Sequence, residues 1–253
     1  MSSIILDHVD LTFKIWREKR IKDILVPGSR RFNEFGTDGT VRALKDLELS
    51  VGDGERVAVV GHNGAGKSSL LKLLAGIYPP TSGRCRVEGR ISSMFELATG
   101  FEMELNGWDN IYLRGLMLGE TPGCIKRKMK EIAEFSELGD FLNMPVKYYS
   151  SGMFLRLAFS VSTAIEPDIL LLDEVVAAGD AAFIEKARKR MDRMMDTAKI
   201  MVYVTHSMQQ AVSMCDRCVW LDRGRIMMDG EPRAVTDAYM KSLGSRGMDD
   251  EGQ

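Results

Sequence analysis

The sequence predicts an α/β fold that combines a parallel sheet, an antiparallel β subdomain and an inserted helical subdomain. The segment Asp168–Glu174 is too apolar to face water on either side, and Lys199–Thr205 supplies another apolar strand; both are typical of a parallel sheet. Ile4–Phe13 alternates apolar and polar residues, and Val41–Val51 runs into a Gly-Asp-Gly turn, so both are predicted strands. From about residue 96 to residue 165 the pattern is mostly helical. This stretch indicates a helical subdomain inserted in the α/β core.

A phosphate-binding loop occupies residues 61–68, where the letters GHNGAGKS match G-x-x-x-x-G-K-[ST] at every fixed position. The run Arg56–Val60 predicts a buried strand and Ser68–Ala75 a helix, which is the context that the motif requires. Glycines let backbone N–H groups turn towards phosphates, and the helix start adds its positive end. We expect Lys67 to reach the β- and γ-phosphates and Ser68 to place its hydroxyl on Mg²⁺. The candidate nucleotide ligands here are Gly61, Asn63, Gly64, Ala65, Gly66, Lys67, Ser68 and Ser69.

Two carboxylates, Asp173 and Glu174, end the apolar strand at 169–172. In α/β sheets the carboxyl ends of strands collect ligand chemistry, so we expect Asp173 to hold Mg²⁺. Glu174 is the candidate to accept a proton from the water that attacks the γ-phosphate. The alternative is a solvated strand end without chemistry.

A serine-glycine turn, Tyr149-Ser150-Ser151-Gly152-Met153, precedes an apolar helical pattern. Such a turn presents hydroxyls, N–H groups and the helix dipole to an anion. Taken alone it is an ordinary helix N-cap.

Composition excludes several classes of protein. The formal net charge of −2 argues against a general nucleic-acid binder. No run of about eighteen apolar residues is present to span a bilayer, and the N-terminus shows no secretory signal. Four cysteines suit a reducing cytoplasm, and the lone Cys215-x-x-Cys218 lacks a second ligand pair for a metal. We expect one domain over residues 1–247 and a flexible acidic tail at 248–253.

A basic insertion at about residues 14–40 separates the first two strands. Lys14–Arg31 carries seven basic residues against Glu18 and Asp23, interleaved with apolar side chains. It is either a solvated surface loop or a segment that lies at a membrane surface or on a membrane partner.

The order of these motifs resembles the ATP-binding-cassette (ABC) ATPases over roughly residues 4–240. The resemblance implies a P-loop NTPase core with Walker A at 61–68 and Walker B at 169–174. It further implies that Ser151 and Gly152 form the signature loop, which contacts the γ-phosphate bound by the other subunit of a dimer. Asp180 then matches the aspartate at that interface, and His206, after the strand at 200–204, matches the histidine that hydrogen-bonds the γ-phosphate.

Two departures from the family pattern affect the site. The signature LSGGQ is replaced by Tyr149-Ser150-Ser151-Gly152-Met153, where Ser151 keeps a small polar side chain. The Q-loop glutamine is absent, and Glu96 stands where it would fall; a glutamate there could still accept a hydrogen bond from a magnesium-bound water.

The segments 96–115, 149–161 and 170–180 resemble one branch, the ATPase subunits that export lipid-linked polysaccharides such as O-antigen, capsule and teichoic acid. The resemblance implies a homodimer of ATPase subunits, a separate polytopic membrane permease, a lipid-linked glycan as cargo, and a peripheral location at the cytoplasmic face of the plasma membrane. No carbohydrate-binding domain is expected in this chain.

Phe13 ends the first strand and is the candidate for the aromatic ring that stacks on adenine, unless it is a plain core side chain. Two other functions remain open: a soluble ABC-type ATPase that acts on ribosomes or DNA, and a nucleotide-binding regulatory subunit with little turnover. One cassette without sustained heptads argues against the first, and Glu174 with His206 argues against the second.

Overall fold

The computed structural model describes residues 1–14, 39–95, 97–173 and 181–249. The strands in these ranges are β1 (Ser3–Lys14), β2 (Thr40–Gly52), β3 (Arg56–Val60), β4 (Ser82–Glu88), β5 (Ile91–Ser93), β6 (Ile169–Asp173), β7 (Ile200–Val204), β8 (Arg217–Asp222) and β9 (Arg225–Gly230). The α-helices are α1 (Lys67–Leu74), α2 (Gly107–Met117), α3 (Pro122–Ser136), α4 (Ser151–Ser162), α5 (Ala181–Thr197), α6 (Met208–Met214) and α7 (Pro232–Asp249).

The central sheet has six strands in the order β5-β6-β7-β3-β8-β9. All neighbouring strands run parallel except β8 and β9, which form an antiparallel hairpin. The order places β3, which leads into the phosphate loop, between β7 and β8. Because parallel strands present their carboxyl ends at one edge, this arrangement brings the loop next to the residues that follow β7 and β8. The predicted parallel core is confirmed.

Each face of the central sheet packs into a different hydrophobic core. Val57 and Val59 of β3 belong to a core shared with α1 and the antiparallel sheet, whereas Ala58 and Val60 pack into the core on the opposite face. The second sheet has the order β2-β1-β4 and is antiparallel throughout. It is the predicted antiparallel β subdomain, and it stacks against the parallel core.

The helical subdomain lies between β5 and β6 and has a hydrophobic core of its own. Its helices α2 and α3 begin at polar caps, Asn106 and Thr121. The Asn106 side chain accepts from the backbone N–H of Asp109 at 2.9 Å. Thr121 caps α3, and Pro122 occupies the first helical turn, where a missing N–H costs nothing.

Several predicted features fall beyond these helices and strands. Most of the basic insertion at 14–40 lies outside the described residues, as do Glu96, Glu174, Asp180 and the segment 250–253. Helix α7 continues through Asp249, past the predicted start of the tail at 248. Extending an existing helix fixes only one residue at a time, so an apolar pattern is not needed for its last turn. Among the described helices, none has the length and apolar character required to cross a membrane.

Candidate functional site

The phosphate loop is held in shape by glycines that contact neighbouring backbone. Gly61 has a φ of 154°, and a Cβ there would lie 2.1 Å from the carbonyl oxygen of Leu221. Gly66 has a φ of 108°, and its Cβ would lie 2.7 Å from the carbonyl oxygen of Ala43. The loop therefore fits against β8 on one side and β2 on the other only because these positions lack side chains.

Helix α1 begins directly after the loop without a side-chain cap. Its N-cap is Gly66, which has no side chain to accept from the first-turn N–H groups. These N–H groups and the positive end of the helix dipole are thus available to an anion in the loop. The arrangement is the geometric basis of phosphate binding at this end of the cleft.

Lys67 lies inside the loop with an exposed fraction of only 6%. Its Nζ donates to the carbonyl oxygens of Gly61 at 2.6 Å and His62 at 3.0 Å. Phosphate oxygens can replace these carbonyl oxygens as hydrogen-bond acceptors for the ammonium. Because phosphate oxygens are charged, the hydrogen bonds to them are stronger.

Ser68 and Asp173 provide oxygen ligands on the other side of the loop. The hydroxyl of Ser68 donates to Oδ2 of Asp173 at 3.3 Å, which joins the start of α1 to the end of β6. A hydroxyl and a carboxylate at this separation are ligands that Mg²⁺ accepts, since this cation prefers oxygen and keeps several of its waters. The residues present therefore fit a magnesium ion. Glu96, the third predicted metal ligand, lies outside the described residues.

The turn after β7 presents His206 to the cleft. Thr205 is fully buried, and its hydroxyl accepts from the N–H of Ser207 at 3.0 Å. Ser207 in turn caps α6 by accepting from the N–H of Gln210 at 3.3 Å. Between these two anchored residues the His206 side chain is exposed and lines the same cleft as Lys67.

A single cleft of about 1060 Å³ joins these groups to the antiparallel sheet. Its walls carry the predicted ligands Phe13, Asn63, Gly64, Gly66, Lys67, Ser68, Ser69, Asp173 and His206, together with Val41, Arg42, Ala43, Lys45, His62 and Arg223. Phe13 also packs edge-on against Tyr78, with ring centroids 5.1 Å apart. The Phe13 ring thus packs against the core and also lines the cleft, and its stacking on adenine stays a prediction. Apart from His62, which occupies a variable position of the phosphate loop, no motif signals the second group of wall residues.

The signature residues lie elsewhere on the surface of the described fold. Ser150 caps α4 by accepting from the N–H of Met153 at 3.2 Å, and Ser151 is exposed at the helix start. Neither Ser151 nor Gly152 lines the cleft. Within one chain, therefore, the structure does not bring this helix start to the phosphate loop. Glu174 and Asp180 fall outside the described residues.

The cysteine pair lies in the hydrophobic core on one face of the central sheet. Cys215 and Cys218 are buried free thiols, and burial raises the pKa of each to about 12. Both are therefore protonated near neutral pH, and neither belongs to a group of potential metal ligands in the described ranges. This agrees with thiols that serve packing.

Several ATP-binding proteins of export systems are similar in sequence to this chain. An O-antigen export ATP-binding protein of Yersinia enterocolitica, RfbE, is 42% identical over 231 residues, which cover 89% of this chain and 97% of the relative. Its Klebsiella pneumoniae counterpart RfbB is 40% identical over 223 residues, covering 88% and 90%. A longer relative, RfbB of Myxococcus xanthus, is 42% identical over 203 residues, and the chain spans only 46% of its length. The teichoic acids export protein TagH of Listeria innocua is 37% identical over 238 residues, covering 93% of this chain and 69% of the relative.

The fold also matches solved structures. The ATP-binding cassette MJ0796, described as a dimer in a post-hydrolysis state with ADP and Pi, superimposes with a TM-score of 0.64 at 21% identity, over 90% of this chain and 98% of that one. A protein-family model described as ABC transporter matches residues 44–177. On the family model and the relatives together, the chain belongs to the ABC transporter family.

Proposed function

We propose that the chain is the ATP-hydrolysing nucleotide-binding subunit of an ABC transporter that exports a lipid-linked polysaccharide, such as O-antigen or capsular glycan, across the cytoplasmic membrane. One observation supports the ATPase part of this proposal. A single cleft contains Lys67 in the phosphate loop and the Ser68 hydroxyl, which lies 3.3 Å from Oδ2 of Asp173. The names of RfbB, RfbE and TagH support the polysaccharide part.

Within the cleft, each side chain is assigned to a different part of the nucleotide. Phe13 stacks on the base at the antiparallel sheet. Lys67 and the N–H groups of the loop bind the β- and γ-phosphates. His206 hydrogen-bonds the γ-phosphate from the turn after β7, and Glu174 takes a proton from the attacking water.

The oxygen ligands of Ser68 and Asp173 would hold Mg²⁺, with Glu96 as a further ligand through water. When bound, this cation neutralises charge on the phosphate oxygens. The protein's own contribution is to fix the Ser68 hydroxyl and the Asp173 carboxylate next to each other, at the junction of α1 and β6.

A second copy of the chain would complete the site. Ser151 is exposed and Gly152 half-buried at the start of α4, and neither lines this chain's own cleft. We assign them to the γ-phosphate of a partner copy, with Asp180 at the same interface. Closure of the two copies on two ATP molecules would then move the membrane subunits, and hydrolysis would separate the copies again.

The helical subdomain is the proposed contact to a polytopic membrane permease. Its surface near residues 101–108 exposes Met103 by 44%, Phe141 by 52%, Met144 by 42% and Tyr148 by 64%. Exposed apolar side chains in such a group mark interaction surfaces. This contact would hold the subunit at the cytoplasmic face of the membrane. We further propose that the basic insertion at 14–40 lines the cytoplasmic entrance where the lipid-linked glycan loads.

The experiment is co-purification from detergent-solubilised membranes, with ATPase activity measured on the recovered complex and on the Glu174→Gln variant. Recovery of a polytopic partner with turnover that depends on Glu174 supports the proposal. Recovery without any membrane partner would favour a soluble ABC-type ATPase, and a partner with another cargo would identify an ABC subunit for a different substrate. Equally low turnover in both forms would contradict the ATPase role and point to a regulatory subunit.

In the same system, replacing Arg17, Lys19 and Arg20 together by glutamate tests the insertion. We expect impaired glycan export with ATPase activity retained. Unaltered export would show that these basic side chains of the insertion take no part in glycan export.

A further inference from the structure

We propose that Lys45 and Arg223 form a second cationic arm of the nucleotide site, which binds the α-phosphate side of the nucleotide and contributes to the affinity for diphosphate and triphosphate alike. The inference deepens the proposed function and rests on ATP binding in this cleft. It starts from the charges on the cleft wall, where the described residues supply four Lys and Arg side chains, Arg42, Lys45, Lys67 and Arg223, against one carboxylate, Asp173.

Two of these cations already have oxygen partners within the protein. Arg42 forms an ion pair with Asp10 at 2.6 Å, and Lys67 is held by the loop carbonyls. For Lys45 and Arg223, no carboxylate in the described residues lies within ion-pair distance. An unneutralised cation pair beside a phosphate loop is an attractive site for an anionic ligand.

Backbone hydrogen bonds bring these two residues to the same side of the loop. The N–H of Lys45 donates to the carbonyl of Gly224 at 2.7 Å, and the N–H of Gly224 donates to the carbonyl of Ala65 at 2.8 Å. The turn 223–224 therefore bridges β2 and the last part of the phosphate loop. The backbone of both residues is thus tied by hydrogen bonds close to the Gly64–Gly66 part of the loop.

The strand order decides which part of the nucleotide they face. Asp173 ends β6 and His206 follows β7, whereas Arg223 follows β8 on the opposite side of β3. Neighbouring strands lie about 4.8 Å apart, so β6 and β8 are separated by about 14 Å. The γ-phosphate belongs at the Asp173 end and the base at Phe13, which leaves the α-phosphate and ribose beside Lys45 and Arg223.

The backbone of Arg223 adds an independent argument. It occupies the left-handed region with a φ of 47°, followed by Gly224 at 80°, as the two central positions of a tight hairpin turn require. Asparagine or glycine adopts this conformation with less strain. An arginine at such a position, with its side chain on the wall of the cleft, indicates a function for that side chain.

The test compares the binding of adenosine, AMP, ADP and ATP to the full chain by calorimetry. The variants are Lys45→Met, Arg223→Met and the double variant, with Lys45→Arg and Arg223→Lys as charge-retaining forms. Arg225→Met is the matched control, because Arg225 is exposed at the start of β9 and does not line the cleft. Unfolding curves check that every variant folds.

We expect each Met variant to lower the binding affinity for AMP, ADP and ATP by a similar factor of about five, and the double variant by about 25. The affinity for adenosine should not change. The charge-retaining variants and Arg225→Met should bind like the wild type. Loss that falls on ATP alone, or loss of adenosine binding, would overturn the inference, as would unchanged affinities. A wild type that binds no nucleotide would instead contradict the proposed function.

Discussion

His62 Nε2 lies 2.7 Å from Oδ1 of Asp222, so the end of β8 holds the phosphate loop from outside the motif. The other ring nitrogen, Nδ1, lies 2.6 Å from the carbonyl oxygen of Asn63. The carbonyl of Asn63 accepts from Nδ1, whereas Nε2 is in close contact with the Asp222 carboxylate without forming a hydrogen bond of good geometry. With a side chain only 9% exposed, Asp222 is a rigid support for this contact.

Replacing Asp222 by asparagine should weaken nucleotide binding through the loop. The contact joins a buried carboxylate to a partly exposed ring, and we expect a loss of about 1 kcal/mol, or close to fivefold in Kd, with a smaller change in kcat. His62→Gln should give a similar loss, and the double variant little more than either single change, because both remove one interaction. The measurement is nucleotide Kd together with KM and kcat for ATP.

Asp229→Asn is the matched control for Asp222. It removes a carboxylate of the same hairpin that pairs with Arg217 at 2.6 Å, and it does not line the cleft. Its nucleotide affinity should stay at the wild-type value. If the two single losses at His62 and Asp222 simply add, or if Asp229→Asn weakens binding equally, the contact does not position the loop.

A methyl group at position 61 should destabilise the protein more than one at a comparable glycine. The Cβ of Gly61→Ala would lie 2.1 Å from the carbonyl oxygen of Leu221, whereas Gly54 has a φ of 90° with no atom within 4 Å of its Cβ position. Gly54→Ala should thus report the conformational cost alone, about 1 kcal/mol. Gly61→Ala adds a backbone overlap, and we expect a loss at least 1 to 2 kcal/mol larger.

The readout is Tm by calorimetry for both alanine variants. For a chain of this size, about 1 kcal/mol shifts Tm by roughly 2 to 4 °C. Gly61→Ala should therefore melt several degrees below Gly54→Ala and lose nucleotide binding. Equal Tm values would mean that the loop moves away from β8 without difficulty.

Local patterns predicted the parts of the fold that depend on short stretches of chain. The predicted strands at Arg56–Val60 and 200–204 begin and end where the structure places them. A continuous apolar run between polar flanks defines the ends of a strand closely. By contrast, the exposed strand β4 and the short strand β5 carry no such run and were not predicted. Their positions depend on pairing with β1 and β6, which no local pattern encodes.

Some residues of the site were also predictable from local motifs, and others were not. The loop, Asp173 and His206 follow strands, so motif spacing was enough to place them at one edge of the sheet. Lys45 and Arg223 reach the cleft through the strand order and through the turn at 223–224, which only tertiary structure defines. For the same reason the sequence did not reveal that His62, inside the motif, contacts Asp222 from β8.

The Ser68–Asp173 pair should control the magnesium requirement of turnover. Ser68→Ala removes one oxygen ligand and leaves Asp173 without the hydroxyl that now lies 3.3 Å away. We expect the Mg²⁺ concentration for half-maximal ATPase activity to rise by about tenfold or more, because hard-cation sites with few protein ligands depend on each one. Asp173→Asn should have a larger effect, since it also removes a charge.

Nucleotide binding in the presence of a chelator is the internal control for that prediction. Without the cation, Ser68→Ala should bind ADP nearly as well as the wild type, because the loop N–H groups and Lys67 remain. A loss of ADP affinity that persists without Mg²⁺ would assign Ser68 to the phosphates rather than to the metal.

His8 should titrate above its ordinary range because two carboxylates face it on the antiparallel sheet. Its Nδ1 lies 2.8 Å from Oδ1 of Asp46 and 3.3 Å from Oε1 of Glu48. The hydrogen bond to Asp46, and then the charge of Glu48, raise the pKa of His8 above its ordinary value of 6.5. Since the folded pKa is the higher one, the protonated pair stabilises the fold fully below pH 6.5, and this contribution disappears as pH rises through the folded pKa.

NMR titration of the His8 ring in the wild type, Asp46→Asn and Glu48→Gln measures this directly. Asp46→Asn should lower the pKa of His8 the most, because it removes the hydrogen-bonded carboxylate, and Glu48→Gln should lower it less. All three side chains are exposed, so added salt should reduce the difference between the variants. A His8 that titrates at 6.5 in all three proteins would show that neither carboxylate holds its proton, and stability near neutral pH would then be independent of this cluster.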